Sequence, residues 1–165
     1  METNVSKRTF LGSAAAAVGA VFLPACAKRG EAKAAERFEV NKTPAEWKRQ
    51  LGPQRYAVLR EEDTERAGSS PLDKENRKGT FVCAGCALPV YSSATKYDSG
   101  TGWPSFYKPL PNAVRTKDDR GIFGTRTEVH CRRCGGHLGH VFDDGPPPTG
   151  KRYCMNGLAM RFSVA

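Results

Sequence analysis

The 165-residue sequence contains no apolar run of the roughly 20 residues that a membrane-spanning helix requires. Its apolar stretch at residues 11–23 is shorter than that and rich in alanine, so a permanent helical anchor is not expected. The sequence also lacks heptad spacing, and its net charge of +9 is spread over basic residues interleaved with acidic ones. These absences argue against a coiled coil and against a nucleic-acid-binding protein, and we expect a monomer.

Histidine is scarce, with three residues, whereas the chain has six cysteines. Four of these form two C-x-x-C pairs, Cys83 with Cys86 and Cys131 with Cys134. Two intervening residues let one tight turn aim both sulfurs at the same ion, and four thiolates complete the tetrahedral shell of a structural zinc. We therefore predict one structural Zn²⁺ per chain, with the chemistry elsewhere. Two disulfides are the alternative, which an oxidising compartment would permit.

The N-terminal residues have the pattern of an export signal. Ser6-Lys-Arg-Thr-Phe-Leu11 leads into the apolar stretch and is similar to a twin-arginine motif with lysine in place of the first arginine. Leu23-Pro-Ala-Cys26 resembles a bacterial lipoprotein box, which would place a lipid anchor on Cys26. A generic signal cleaved near Ala25 or Ala27 is the alternative. We expect an exported protein of a bacterium, either periplasmic or membrane-anchored as a lipoprotein.

The rest of the chain is expected to contain a tether and one domain. Residues 1–26 form the predicted signal, the charged and alanine-rich residues 27–42 form a flexible tether, and residues 43–165 form the domain. Thr43, followed by proline and by Glu46, predicts a capped helix that is broken at Gly52-Pro53.

After a second short helical segment, the helical periodicity gives way to short strands separated by glycine and proline. The expected strands contain the following residues: 80–83, 90–91, 121–130, 139–142, 153–155 and 158–162. We predict a mainly β fold, an antiparallel sandwich or tent stapled by the structural zinc, with short N-terminal helices.

Cys154 stands apart from the four paired cysteines. An isolated cysteine is usually a small, inert core residue, but Arg152 would favour the thiolate and Asn156, two residues further along a strand, could donate a hydrogen bond to it. His137 and His140 follow the second cysteine pair and could supply protons to a thiol reaction, with Asp144 orienting one of them. His130 is expected to be structural. A nucleophilic or redox role for Cys154 follows from this set.

Several longer motifs occur together and in a fixed order. They are Cys83-x-x-Cys86, residues 97–106 (Tyr-Asp-Ser-Gly-Thr-Gly-Trp-Pro-Ser-Phe), the run from Cys131 to Phe142, and Arg152-Tyr-Cys-x-Asn156. In these motifs the chain resembles the B-type methionine sulfoxide reductases, over residues 43–165. The resemblance implies an antiparallel β sandwich or tent and thiol-dependent reduction of the R epimer of methionine sulfoxide in peptides or proteins.

The resemblance also implies a role for each matching position. Cys154 corresponds to the nucleophile, His137 and His140 to the pair that protonates the sulfoxide oxygen, and Trp103 to the aromatic wall that receives the substrate methyl group. Without the resemblance, a packing role would be preferred for this tryptophan. The supporting polar positions are Asp144 and Arg152, which we assign to substrate binding, and Asn156, which we assign to catalysis. The zinc set of the metal-containing branch corresponds to Cys83, Cys86, Cys131 and Cys134.

Thr101 departs from the pattern of many relatives, which carry a resolving cysteine at this position. We therefore predict a one-cysteine cycle, in which a thioredoxin-like protein or a small thiol reduces the sulfenic acid of Cys154 directly. Recruitment of a zinc cysteine as the resolving thiol is the alternative. Two other functions stay open at this point: a non-catalytic zinc-ribbon binding module, and a thiol peroxidase.

Overall fold

The computed structural model describes residues 37–121 and 124–165. The predicted export signal, the predicted lipid-anchor site Cys26 and most of the predicted tether lie outside these residues. Within the described ranges, no helix has both the length and the apolar character that crossing a membrane would need.

The helix α1 (Pro44–Glu61) begins and bends where the sequence predicts. The backbone N–H of Thr43 donates to the Glu46 carboxylate at 2.8 Å, and the Glu46 N–H donates to the Thr43 hydroxyl at 3.3 Å, which completes the capping box. Gly52, at φ 71° and ψ 172°, interrupts the helix before Pro53. The two helical segments bury one face, formed by Trp47, Leu51, Val58 and Leu59.

The described residues form nine strands in two antiparallel sheets. The strands are β1 (Gly79–Cys83), β2 (Pro89–Ser92), β3 (Lys96–Tyr97), β4 (Ser105–Phe106), β5 (Val114–Gly121), β6 (Gly124–Cys131), β7 (His137–Phe142), β8 (Arg152–Met155) and β9 (Met160–Val164). The smaller sheet has the order β2-β1-β9 and the larger the order β3-β4-β8-β7-β6-β5. The prediction of a mainly β, antiparallel fold is confirmed.

Aromatic side chains join the two sheets in one core. Tyr91 of the smaller sheet stacks on Phe106 of the larger at a ring-centroid distance of 4.3 Å, and Phe81 meets Phe106 edge-on at 4.9 Å. The Tyr91 hydroxyl donates to the Met155 sulfur at 3.1 Å, so its polar end is satisfied although the side chain is fully buried. The core therefore fixes β8 against the smaller sheet.

Two strand predictions need correction. The strand expected at 121–130 is the second arm of a hairpin, β5–β6, whose first arm has the charged sequence Lys117-Asp-Asp-Arg120 and was not predicted. β5 lies at the end of its sheet, where charged side chains are well solvated and give no apolar alternation. The strand expected at 158–162 begins only at Met160, because Gly157–Ala159 forms a 3₁₀ turn.

The described end of the predicted tether contacts the domain. The Val40 N–H donates to the carbonyl of Arg133 at 3.0 Å. The Phe38 ring meets His130 edge-on at 5.9 Å and covers Gly135, where a Cβ atom would lie 2.4 Å from it. Residues 38–40 therefore pack on the turn that carries the second cysteine pair.

Candidate active site and metal centre

The four paired cysteines converge between the two sheets. Their sulfurs all lie within 4.8 Å of one another, with Cys83 and Cys134 at 3.7 Å and Cys86 and Cys131 at 3.5 Å. Tetrahedral zinc with bonds of about 2.3 Å separates its ligand sulfurs by about 3.8 Å, whereas a disulfide requires about 2.05 Å. The cluster fits one metal ion, as the sequence predicted, and the two-disulfide alternative is wrong because all four thiols are free.

This metal centre would connect the two sheets. Cys83 ends β1 and Cys86 lies in the turn that leads to β2, whereas Cys131 ends β6 and Cys134 lies in the turn that leads to β7. A zinc ion held there has no open coordination position, so it would supply cross-linking and no Lewis acid. Its contribution would be to hold β6 and β7, which carry part of the candidate active site, in place against the smaller sheet.

A row of polar side chains crosses the larger sheet at the level of Cys154. Cys154 is the register partner of His140 on β7 and of Ser105 on β4. Directly opposed residues in an antiparallel sheet project from the same face, so the row is built by strand register. Its members, from one edge of the sheet to the other, are Tyr97, Ser105, Cys154, His140, Glu128 and Lys117.

A small, mostly apolar cavity of about 140 Å³ opens beside Cys154. It is lined by Thr64, Trp103, Arg126, Gly139, His140, Phe142, Cys154 and Asn156. The Trp103 indole N–H donates to the Glu65 carbonyl at 3.0 Å, which fixes the ring as a wall of the cavity. The predicted nucleophile, one predicted histidine and the predicted aromatic wall are therefore brought together.

Gly139 lets β7 approach the strand that carries Cys154. Its φ of 153° lies in the region that favours glycine, and a Cβ atom there would come within 2.2 Å of the Cys154 carbonyl oxygen. Any larger residue would push β7 away from β8. The close approach sets the width of the cavity between His140 and Cys154.

His140 is oriented by a carboxylate that the sequence reasoning did not single out. Its Nε2 lies 2.9 Å from Asp119 Oδ2, and the Arg126 guanidinium also contacts this oxygen at 2.7 Å. The hydrogen bond from His140, and then those from Arg126, lower the pKa of Asp119, so the carboxylate is ionised and His140 Nε2 donates to it. Burial lowers the pKa of His140, while Asp119 opposes this effect.

This arrangement suits a proton donor. With Nε2 committed to Asp119, the other ring nitrogen of His140 is left to exchange a proton with a group in the cavity. Asp119 stabilises the imidazolium form in which that nitrogen carries a proton, because the negative charge lies 2.9 Å away. The geometry therefore allows general acid catalysis by His140 beside the thiol of Cys154.

His137 lies behind His140 and does not line the cavity. Its Nδ1 is 2.9 Å from Glu128 Oε1, and both side chains are 2% exposed. Burial lowers the pKa of His137 to about 4, so the ring is neutral near pH 7 and Nδ1 donates to the carboxylate. Lys117 Nζ contacts the other Glu128 oxygen at 2.8 Å. The ring centroids of His137 and His140 are 5.3 Å apart.

The polar residues predicted around Cys154 have other partners. The Arg152 guanidinium makes two hydrogen bonds to Asp144, at 2.9 and 2.8 Å, and stacks over Phe142 at 4.4 Å. Asp144 was expected to orient a histidine, but the structure gives that role to Asp119 and Glu128 instead. The reason is topological, because Glu128 stands on β6, next to β7, and Asp119 on β5, one strand further, whereas Asp144 follows the end of β7.

Asn156 was expected to donate to the thiol of Cys154, but its amide is engaged elsewhere. Asn156 Oδ1 accepts from the Glu65 N–H at 3.0 Å, and its Nδ2 donates to the Leu138 carbonyl at 3.4 Å. It lines the cavity and ties the segment at Glu65 to β7. Its position in the structure is that of a buried support, 3% exposed.

Thr101 lies next to the nucleophile. Its hydroxyl is 3.8 Å from the sulfur of Cys154, and a chain of hydroxyl contacts continues to Ser99 at 2.8 Å and on to Ser105 at 2.7 Å. Among the described cysteines, only Cys154 lies outside the metal cluster. The position at which the sequence lacks the expected resolving thiol thus holds a hydroxyl in contact with the sulfur of Cys154.

Sequence reasoning missed Asp119, Arg126 and Glu128. All three follow the alternation of a hairpin, and Asp119 and Arg126 are register partners on β5 and β6. Alternating charged residues on paired strands project to one face, which was the available signal. It could not be used because β5 was not recognised as a strand. Thr64 and Phe142 also line the cavity, but only the path of the folded chain brings them there, and no sequence pattern indicated either residue.

Comparisons with known proteins agree with this geometry. Residues 51–164 match the family model described as the SelR domain. A Leptospira interrogans protein named peptide methionine sulfoxide reductase MsrB is 51% identical over 126 residues, which cover 76% of this chain and 96% of that protein. Proteins of the same name from Methanosarcina barkeri and Agrobacterium fabrum are 52% and 50% identical, over 89% and 93% of their own lengths.

The fold and site define a β protein with a four-cysteine cluster suited to one zinc ion and, in the part of the chain that the structure describes, a separate thiol in an aromatic cavity. The matching relatives are all covered over most of their length, and the family model spans more than half of the chain. The chain belongs to the SelR domain family, that of the MsrB methionine sulfoxide reductases.

Proposed function

We propose that the protein reduces methionine-R-sulfoxide in peptides and proteins through a sulfenic acid on Cys154. The observation that carries this proposal is the shared cavity of Cys154, His140 and Trp103, which none of the four clustered cysteines lines. The relatives' name, peptide methionine sulfoxide reductase, supports the same reaction. A bound sulfoxide could place its methyl group against the aromatic rings of Trp103 and Phe142 and its oxygen toward His140.

The reducing step removes one oxygen atom from the substrate. The sulfur of Cys154 attacks the sulfoxide sulfur while His140 donates a proton to the sulfoxide oxygen, which makes that oxygen easier to displace. The S–O bond of the substrate breaks and the oxygen leaves as water. A water molecule then attacks the sulfur of Cys154, the bond between the two sulfurs breaks, methionine leaves with that electron pair, and Cys154 is left as a sulfenic acid. Asp119 stabilises the charge on His140 before the transfer, and the buried pair of His137 and Glu128 holds the ring of His140 from behind.

The oxidised enzyme must then be reduced by an external thiol. Two equivalents of an external thiol, from a thioredoxin-like protein or a small thiol, restore Cys154, and water and a disulfide are released. Thr101 supports this cycle because it offers a hydroxyl where a resolving thiol would stand. The zinc cysteines are less suited to the task, because each is held within the metal cluster.

The experiment is dithiothreitol-driven reduction of separated R and S epimers of N-acetylmethionine sulfoxide, by the zinc-loaded protein and by Cys154→Ser. We expect the parent to reduce only the R epimer and Cys154→Ser to be inactive. If neither protein reduces either epimer while zinc stays bound, the chain is a zinc-ribbon binding module. A parallel assay with hydrogen peroxide separates the reductase from a thiol peroxidase, which would prefer the peroxide.

We also propose that this repair takes place outside the cytoplasm of a bacterium, by a monomer that does not bind nucleic acid. The Ser6–Leu11 motif and the apolar residues after it support export, and the box ending at Cys26 supports a lipid anchor. Fractionation of cells that make the full chain, with mass spectrometry of the mature N-terminus, tests both statements. A mature protein found in the cytoplasm with residues 1–26 intact would contradict them.

A further inference from the structure

A cleft outside the catalytic cavity lies between α1 and β9. It has a volume of about 610 Å³. Its lining includes Gln54 and Arg55 of α1, just beyond the break at Gly52, and Arg161, Phe162 and Val164 of β9. Phe162 is half-buried, and the side chain of Val164 is 60% exposed, so part of the wall is apolar.

The charged groups of this cleft do not cancel. Both of its acidic side chains are already engaged: Glu75 lies 2.6 Å from Arg77, and Glu65 accepts the backbone N–H of Leu158 at 2.9 Å. Within residues 37–121 and 124–165, the guanidinium groups of Arg55 and Arg161 make no hydrogen bond or ion pair. The cleft therefore presents two positive charges without a counterion from the described part of the chain.

Arg55 and Arg161 also act on each other. Both residues line the same cleft, and burial, followed by the charge of Arg161, lowers the pKa of Arg55. An anion bound between them would relieve the repulsion and would receive charge-assisted hydrogen bonds from both guanidinium groups. Two carboxylates on one peptide chain could each pair with one of the two guanidinium groups, and the neighbouring side chains of the peptide could then contact the apolar wall of the cleft.

Shared lining residues link the cleft to the catalytic cavity through a second cleft. A second cleft of about 540 Å³ shares Gln54, Glu65, Ser69 and Leu158 with the first, and it shares Thr64 with the cavity that contains Cys154. The segment from Thr64 to Ser69 thus contributes lining residues to the catalytic cavity and to both clefts. The two clefts are together called the groove. A polypeptide whose oxidised methionine enters the small cavity would have neighbouring residues in this groove.

We propose that Arg55 and Arg161 form a subsite for acidic side chains of the polypeptide under repair, at a distance along the chain from the oxidised methionine. The proposal rests on the proposed function, and it adds a preference among protein substrates. The lining that the groove shares with the catalytic cavity favours the substrate over the reductant as its occupant.

The test uses peptides with one methionine-R-sulfoxide and a Glu-Glu pair at increasing separations on either side, each matched by a Gln-Gln peptide. We expect one separation at which the acidic peptide has a kcat/KM roughly three- to tenfold above its Gln-Gln match, mainly through KM, at low ionic strength. Salt should reduce this preference. The double variant Arg55→Gln/Arg161→Gln should abolish it.

Two controls isolate the subsite. Arg49→Gln removes the same charge from the exposed face of α1 outside the groove and should keep the preference. N-acetylmethionine-R-sulfoxide, which has no residues to place in the groove, should be reduced equally well by the parent and by the double variant. If this small substrate is not reduced at all, it is the proposed function that fails.

Three results would overturn the subsite. The first is that the acidic and neutral peptides are reduced equally well at every separation, and the second is that the double variant keeps the preference. In the third case, the double variant would slow only turnover with a thioredoxin, and not with dithiothreitol, which would assign the arginines to the reductant.

Discussion

Thr101→Cys should turn the one-cysteine site into a disulfide-forming one. The Thr101 hydroxyl lies 3.8 Å from the sulfur of Cys154, so a sulfur in its place would need to move by roughly 2 Å to reach the bonding distance of about 2.05 Å. Gly100 and Gly102, with φ of 70° and 86°, flank this position and offer backbone freedom for the shift. After one turnover without reductant, we expect the sulfenic acid of the variant to condense with the new thiol.

The stabilisation from this bond can be worked from the chain. A cross-link between positions 53 residues apart lowers the entropy of the unfolded state by an amount equivalent to about 4 kcal/mol. The oxidised variant should therefore resist urea better than its own reduced form by up to that amount. The assay is intact-mass and thiol titration after stoichiometric substrate, followed by denaturation of both forms.

Ser99→Cys is the matched control for this prediction. The Ser99 hydroxyl contacts Thr101 and Ser105 rather than the sulfur of Cys154, so a thiol there should leave the sulfenic acid uncondensed. Our placement of Thr101 is refuted if Thr101→Cys keeps its sulfenic acid and its free thiol after turnover. It is also refuted if Ser99→Cys forms the bond equally well.

The other predictions concern the metal and the two histidines. Cys83→Ser, or chelation of the parent, should remove the metal and cause a cooperative loss of β structure, measured by zinc content and circular dichroism. Asp119→Asn should lower kcat on the order of tenfold or more. It should also move the alkaline limb of the pH–rate profile to lower pH, because Asp119 opposes the lowering of the His140 pKa. The control Asp144→Asn should leave that limb in place, because Asp144 contacts Arg152 instead. The folded state holds His137 neutral down to about pH 4, whereas the unfolded state takes up a proton near pH 6.5. As the pH falls between these values, the free energy of unfolding of the parent should decrease by up to about 3 kcal/mol relative to that of His137→Gln, measured by urea unfolding.

The sequence was sufficient for features with strong local signals. The capping box at Thr43, the break at Gly52 and the two cysteine pairs each depend on residues a few positions apart, and the structure contains all three. Cys154 was singled out because it had no partner in sequence, and it does line a cavity with His140.

The partners of the histidines could not be predicted because they depend on strand register. Asp119 stands on β5, which pairs on only one side and has no apolar alternation, and it reaches His140 across β6. The difference between His137 and His140 is also one of register: a bulge between Val129 and His130 changes the pairing of β6 with β7. Sequence spacing alone gave both histidines the same role.

Tertiary packing explains the other departures. Residues 38–40 look like a linker by composition, but their aromatic and apolar side chains find a place on the turn at Cys131–Cys134. The two-residue strands β3 and β4 are too short to give a periodic signal, although β4 provides the neighbour of Cys154.

The polar row that crosses the larger sheet makes the site an all-or-none property of the alignment between strands. A shift of one residue in a strand turns every one of its side chains to the opposite face. An insertion within β7 would therefore point His140 away from Cys154 in a single step, however well the rest of the chain folded. The same insertion in the connection between β7 and β8 would leave the alignment intact. Length changes in this protein should thus be tolerated between strands and forbidden within them, irrespective of how conservative the inserted residue is.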